Sequence, residues 1–149
     1  MEWLLFCWVK MKEEQVEAAM QNDSLWWRDG VIYQIYPRSF YDTTGSGIGD
    51  LNGITEKIGY LSELGVDALW LSPINPSPDV DFGYDVADYR AIDPKFGSMA
   101  DFDRLVETAR KANIEIVLDL VLNHTSDQHD WFLNSRSSRE SPFRDYYLW

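Results

Sequence analysis

Apolar residues along the chain follow two rhythms. Val31 to Tyr36 is a short run of β-branched and aromatic residues closed by Pro37, the pattern of a buried strand. Asp67 to Ser72 contains Ala68, Leu69, Trp70 and Leu71 without a polar break, so this second strand is expected to be covered on both faces. Ile114 to Leu122 is a third apolar run, interrupted only by Glu115 and Asp119. Between these runs the period lengthens. Ile54, Ile58, Leu61 and Leu64 recur at helical spacing, and Gly65 stands where a left-handed C-terminal cap is needed. Ser98 followed by Asp101 predicts a reciprocal N-cap for a second helix, with Phe102, Leu105, Val106 and Ala109 along one side and Arg110 and Lys111 at its end. The order is strand, helix, strand, helix, strand.

That alternation predicts an α/β architecture of parallel strands joined by helical crossovers, the unit of both open sheets and closed eight-stranded barrels. The strand starts lie roughly 36 and 47 residues apart, so eight such units would need several hundred residues. Only three are present; taken as a closed TIM (β/α)8 barrel, they would be its first three strands and two crossover helices, cut with two open sheet edges, which points to a fragment. Three regions follow. Residues 1–25 are an N-terminal extension, helical in part across 10–21; residues 26–125 are the barrel segment; residues 126–149, polar and aromatic, follow the third strand. Two loops stand out: 42–50, with three glycines among polar residues, and 73–96, where prolines, glycines and aspartates exclude a helix and the length invites a functional explanation.

Composition narrows the partners. Thirteen Lys and Arg against 25 Asp and Glu give a net charge of −12, which argues against gripping a nucleic-acid backbone. Cys7 is the single cysteine, so neither an intrachain disulfide nor a multi-thiolate zinc site is expected. The apolar stretch Trp3 to Val9 is far shorter than the about 20 residues of a membrane span. It also lacks the positive flank and small-residue cleavage site of a secretory signal, so a cytoplasmic location is expected. The sequons at Asn22 and Asn123 are read as chance.

Candidate chemistry gathers after the second and third strands. Asp119 lies near the end of the third strand, and Asn123 and His124 follow on its carboxyl side, the productive face of a barrel. Asp119 and Asn123 offer hydrogen-bonding groups. His124 suits either a hydrogen bond to a sugar hydroxyl or proton transfer, against the plainer reading of a histidine satisfied by backbone. His129 carries the same two readings, and pairing both histidines with Asp127 or Asp130 does not reproduce a common zinc spacing. Asp81 to Asp85 sets carboxylates beside the Tyr84 ring in a glycine-containing loop, which suits a carbohydrate with hydroxyls and an apolar ring face. The competing reading is a solvated turn in which Asp85 and Asp88 organise backbone amides. Trp70 and Trp131 are expected as packing residues.

These residues carry a broad resemblance, from about Trp26 to Trp149. The runs Val31 to Phe40, Gly49 to Ile54 and Asp67 to Pro73, with the linked signatures Gly83 to Tyr89 and Asp119 to His129, resemble the N-terminal part of the α-amylase superfamily, glycoside hydrolase family thirteen. Within it they look most like the α-glucosidases and oligo-1,6-glucosidases. The resemblance implies an eight-stranded barrel with its active site at the C-terminal face and a smaller domain inserted after the third strand, which residues 126–149 begin. It implies retaining hydrolysis of α-1,4 or α-1,6 bonds in short α-glucoside oligosaccharides, with no organic cofactor. Asp81 would recognise hydroxyls of the nonreducing glucose, Tyr84 would stack on its ring and His124 would hydrogen-bond to it. Asp119 would support an active-site arginine from a later strand, and Asn123 would be structural. The nucleophile and acid/base carboxylates of the family follow the fourth and fifth strands, so both fall beyond Trp149, and this segment alone is expected to be inactive.

Two other activities share these first strands: glucosyl transfer or sucrose isomerisation, and a non-catalytic sugar-binding or transporter-associated role. The 42–50 loop resembles an oxygen-rich metal loop of related enzymes, with Asp42, the Ile48 carbonyl and Asp50 as ligands for Ca2+. Thr44 and Ser46 stand where that loop has stronger ligands, and the competing reading is a cation-free loop held by hydrogen bonds to Asp42 and Asp50.

Overall fold

The computed structural model describes residues 25–149. The N-terminal extension, with the expected helix over 10–21 and Cys7, lies outside the described residues except for Leu25. The described residues fall into two units, 25–31 and Ile32–Trp149. In the first, the short helix α1 spans Trp26–Asp29, and Arg28 pairs with Asp29 at 2.7 Å on its exposed surface.

The second unit is built on three parallel strands in the order β1 (Ile32–Ile35), β2 (Ala68–Leu71), β3 (Glu115–Leu118). Register sets Tyr33 beside Leu69 and Ile116, and Ile35 beside Leu71 and Leu118. Side chains alternate across a strand, so these rows share one face. That face meets helices α2 (Leu51–Glu56), α3 (Ile58–Leu64) and α4 (Met99–Lys111), with Ile35, Leu51, Ile54, Leu61, Leu69, Leu71, Leu105 and Ala109 joined in one buried core. Each fully buried leucine contributes about 1.5–3 kcal/mol relative to its exposed state. The opposite face carries Ile32, Ala68 and Glu115, then Gln34, Trp70 and Val117. On the second strand itself Ala68, Leu69 and Leu71 are fully buried and Trp70 is 38% exposed, so the expectation that it is covered on both faces fails at Trp70 alone. This is an open α/β sheet with helices flanking one side, the arrangement of part of a (β/α)8 barrel.

The helical rhythm read from Ile54 to Leu64 divides at Lys57, whose backbone (φ −94°, ψ 1°) ends α2 and begins α3. Gly65 closes α3 at φ 82°, as its position requires. The capping box of α4 is present: the Asp101 carboxylate accepts the Ser98 N–H at 2.7 Å, and the Ser98 hydroxyl accepts the Asp101 N–H at 3.3 Å. The Ser98 hydroxyl also donates to Asp101 at 2.6 Å and is the largest influence pulling that carboxyl down to about 2 from 3.8. A depressed carboxyl stabilises fully above its unfolded value and loses that contribution as pH falls through the folded one. Asp101→Asn should therefore flatten the loss of stability between pH 4 and 2, measured by urea titration at each pH.

β3 is shorter than the apolar run that predicts it. It stops where β2 stops, with the Asp119 N–H taking the Leu71 carbonyl at 3.1 Å as a final rung. Leu120 and Leu122 lie beyond, 63% and 81% exposed. The tail forms a helix that the sequence did not announce, α5 (Asp130–Ser137), and a 3-10 turn at Arg144–Tyr146. No helix among the described residues is long and apolar enough to cross a membrane.

Candidate functional site

The loop after β2 is organised by one carboxylate. Asp85 accepts the Ser77 hydroxyl at 2.7 Å and the Asp81 N–H at 3.1 Å on Oδ1, and the Val80 N–H at 2.9 Å on Oδ2. Burial pushes its pKa up, but these donors outweigh burial and hold it below the usual carboxylate range. The reading in which Asp85 and Asp88 organise backbone amides describes both, since Asp88 accepts the Arg90 N–H at 2.8 Å. The chain then turns sharply, with Phe82 at φ 51° and Gly83 at φ 99°, and the Tyr84 N–H donates to the Asp81 carbonyl at 2.9 Å. Glycine suits the second of these positions because left-handed backbone carries no side-chain penalty there.

That turn sends Tyr84 toward the end of β3. Its hydroxyl donates to Asp119 Oδ2 at 3.0 Å, and its carbonyl lies 3.1 Å from His124 Nε2. A carbonyl can only accept, so Nε2 carries the proton and Nδ1 of a neutral ring remains an acceptor. Burial and then Asp119 raise the Tyr84 pKa, so the phenol stays protonated and keeps donating at neutral pH. The structure thus brings three of the expected residues together: Tyr84, Asp119 and His124. Asp81 belongs to the same turn through its backbone and exposes its carboxylate. Asn123 is exposed, and its side chain makes no hydrogen bond among the described residues.

Tyr89 is the residue that sequence reasoning missed. Its hydroxyl donates to the carbonyls of Val121 at 2.6 Å and His124 at 3.0 Å, fixing the segment that carries His124. The signal was its place at the end of the Gly83 to Tyr89 run, with no chemistry assigned to it. The Ser126 N–H to Val86 carbonyl bond, 2.8 Å, ties the same two segments. His129 is structural: it is buried, and its Nδ1 accepts the Trp131 N–H at 3.0 Å at the start of α5. Among the described residues no group of three His, Cys, Asp or Glu side chains is placed to hold a metal. Trp131 packs on His129 with ring centroids 4.7 Å apart, and it keeps 44% of its surface exposed.

The 42–50 loop folds around its own carboxylates. Asp42 Oδ1 accepts from the Thr44 N–H (2.8 Å), the Thr44 hydroxyl (3.0 Å) and the Gly45 N–H (2.9 Å), while Oδ2 accepts from the Gly47 N–H (2.7 Å). Gly47 is the largest cause of a pKa lowered to about 2. Asp50 caps α2 by accepting the Gly53 N–H at 2.7 Å and also accepts the Thr43 N–H at 2.8 Å. The Ile48 carbonyl accepts the Ser46 hydroxyl at 3.2 Å. Calcium takes six to eight oxygens. Here the two carboxylates face N–H and hydroxyl donors and the Ile48 carbonyl accepts the Ser46 hydroxyl, the arrangement of a loop held by hydrogen bonds.

Residues 34–149 match the family model described as the alpha amylase catalytic domain. The chain is 56% identical over 127 residues to the oligo-1,6-glucosidase of Parageobacillus thermoglucosidasius, covering 85% of this chain and 23% of that protein. It is 58% identical over 124 residues to the trehalose-6-phosphate hydrolase of Escherichia coli (strain K12), covering 83% and 22%. The crystal structure of the isomaltulose synthase SmuA from Protaminobacter rubrum superposes with a TM-score of 0.83 at 53% identity, over 85% of this chain and 23% of that one. The chain spans less than a quarter of the length of these relatives.

Proposed function

The chain belongs to the alpha-amylase catalytic-domain family, glycoside hydrolase family thirteen, and from that premise we propose that it supplies the nonreducing-glucose recognition segment of an enzyme processing short α-glucosides. The observation that carries this reading is the Tyr84, Asp119 and His124 cluster at the carboxyl ends of β2 and β3. Anchoring the Tyr84 hydroxyl on Asp119 fixes the ring plane, which suits stacking on the apolar face of a glucose unit. Asp81 presents a carboxylate to neighbouring hydroxyls, and His124 Nδ1 is left to accept from a hydroxyl. Asp119 Oδ1 takes no hydrogen bond among the described residues, which suits an arginine brought by a later strand.

The chemistry proposed for the whole enzyme is retention through a covalent glucosyl intermediate, with nucleophile and acid/base supplied beyond Trp149. None of Asp81, Asp85 and Asp119 serves as the attacking carboxylate in this reading, because each has another task. The acceptor decides the product. Curated relatives are named for hydrolysis, and the likeness to an isomaltulose synthase structure favours a second reading, isomerisation of sucrose. Incubating the active protein with isomaltose, maltose and sucrose and separating the sugars tests both. Free glucose from isomaltose or maltose supports hydrolysis, isomaltulose or trehalulose from sucrose supports isomerisation, and no reaction with any of the three overturns the proposal.

For the 42–50 loop we propose a cation-free role, in which Asp42 and Asp50 hold the backbone directly. Millimolar Ca2+ or a chelator is expected to shift the thermal midpoint by less than about 1 °C, since a ligand that does not bind the folded state gives no stabilisation. A calorimetric scan with and without the ion checks this.

A further inference from the structure

We propose that Asp79 is an ionic latch that positions the loop bearing Asp81 and Tyr84, so that sugar recognition by this loop weakens as ionic strength rises. The inference rests on the α-glucoside reading above. Asp79 Oδ2 meets two cations, Lys95 Nζ at 2.6 Å and Arg38 Nη1 at 3.0 Å, and Lys95 also pairs with Asp93 at 2.9 Å. Arg38 belongs to the 3-10 turn Pro37–Ser39 that follows β1, and Lys95 precedes α4. One carboxylate therefore ties the loop to two parts of the framework.

The latch is continuous with the hub that shapes the recognition turn. Asp79 has left-handed backbone, φ 61°, and its N–H donates at 2.9 Å to the Ser77 hydroxyl, which itself donates to Asp85. Asp85 in turn holds the Val80 and Asp81 amides. Movement of Asp79 thus moves the acceptor set on which Asp81 hangs. Side-chain exposure of 30% for Asp79, 18% for Lys95 and 38% for Arg38 puts the cluster between two limits. Fully exposed pairs contribute little, and fully buried ones ignore salt; a partly covered cluster is strong enough to hold a loop and open enough to be screened. Burial lowers the Lys95 pKa, but Asp79 and Asp93 outweigh it, so the ammonium stays charged across neutral pH and salt is the effective variable.

Asp79→Asn isolates the charge, because asparagine tolerates left-handed backbone as well as aspartate does. Glu63→Gln, on the exposed surface of α3, controls for net charge. In the 149-residue chain, hydrogen exchange at the Val80 and Asp81 amides is expected to accelerate about tenfold in Asp79→Asn. It should also accelerate in the parent, but not in the variant, as NaCl rises from about 20 to about 500 mM. In an active protein carrying this segment, KM for maltose should rise about fivefold in Asp79→Asn with kcat held within about twofold, since ground-state positioning is what is lost. Exchange unchanged by both the substitution and salt would overturn the latch. Faster exchange with unchanged KM would overturn its role in sugar recognition. A parent protein that turns over no α-glucoside would remove the reading beneath the inference, and the exchange result would then decide the latch alone.

Discussion

Replacing Gly53 with alanine is expected to lower the stability of the fold by about 3 kcal/mol or more. A Cβ built at this position would sit 2.1 Å from the Tyr41 carbonyl oxygen and 2.8 Å from its carbon, both backbone atoms that cannot rotate aside. Gly53 lies within α2, where alanine ordinarily gains about 1 kcal/mol over glycine in helix propensity. Overpacking of a rigid site costs about 1–3 kcal/mol and more where backbone must move, so the clash wins. It would also strain the Gly53 N–H bond to Asp50, the cap that joins α2 to the 42–50 loop. A net loss of about 3 kcal/mol or more is a large fraction of the stability of a small domain. Circular dichroism during urea titration reads it directly, and a midpoint equal to that of the parent would contradict the expectation. A Cβ built at Gly49 would sit 2.2 Å from the Pro37 carbonyl oxygen, so alanine there should behave alike.

Asp119→Ala should produce the largest functional loss within this segment. Removing the carboxylate leaves the half-buried Tyr84 hydroxyl without its acceptor at 3.0 Å and frees the ring to leave its stacking plane. A hydrogen bond to a charged acceptor contributes about 1.5–3 kcal/mol, and if it is expressed in full in the transition state kcat/KM falls about 10- to 150-fold from this contact alone. Loss of the proposed arginine partner on Oδ1 would add to it. Tyr84→Phe separates the two contributions, because it removes only the hydroxyl and should cost less than the alanine variant at Asp119. Steady-state kinetics on maltose in an active protein checks the pair, and equal kcat/KM in parent and Asp119→Ala would sink the assignment.

What the sequence disclosed of this fold follows from what side-chain pattern can encode. Leu69 and Leu71 announced a strand because burial selects apolar residues, and Ser98 with Asp101 announced a helix start because the capping box is local. The break at Lys57 left no trace in the spacing of Ile54, Ile58 and Leu61, since α2 and α3 present one continuous apolar side across it. Trp70 misled for a different reason: an apolar run reports what a strand can bury, while exposure depends on what other elements cover it. At the site, the resemblance named Asp81, Tyr84, Asp119 and His124, and the fold joins Tyr84 to the last two. Tyr89 and the Asp79, Lys95 and Arg38 cluster were illegible because their partners lie 32, 16 and 41 positions away. No local pattern reports such a pairing. The α5 helix escaped notice because its N-cap is His129, outside the usual capping residues.

The Asp85 hub has a thermodynamic consequence. With Ser77, Val80 and Asp81 already held on one carboxylate, the recognition turn is ordered before any sugar arrives. The entropy of fixing that turn is met once, during folding, and is not charged again to each binding event. In the proposed sugar site, selectivity then comes from refusal rather than from adjustment, because the backbone that carries Asp81 is already fixed on Asp85.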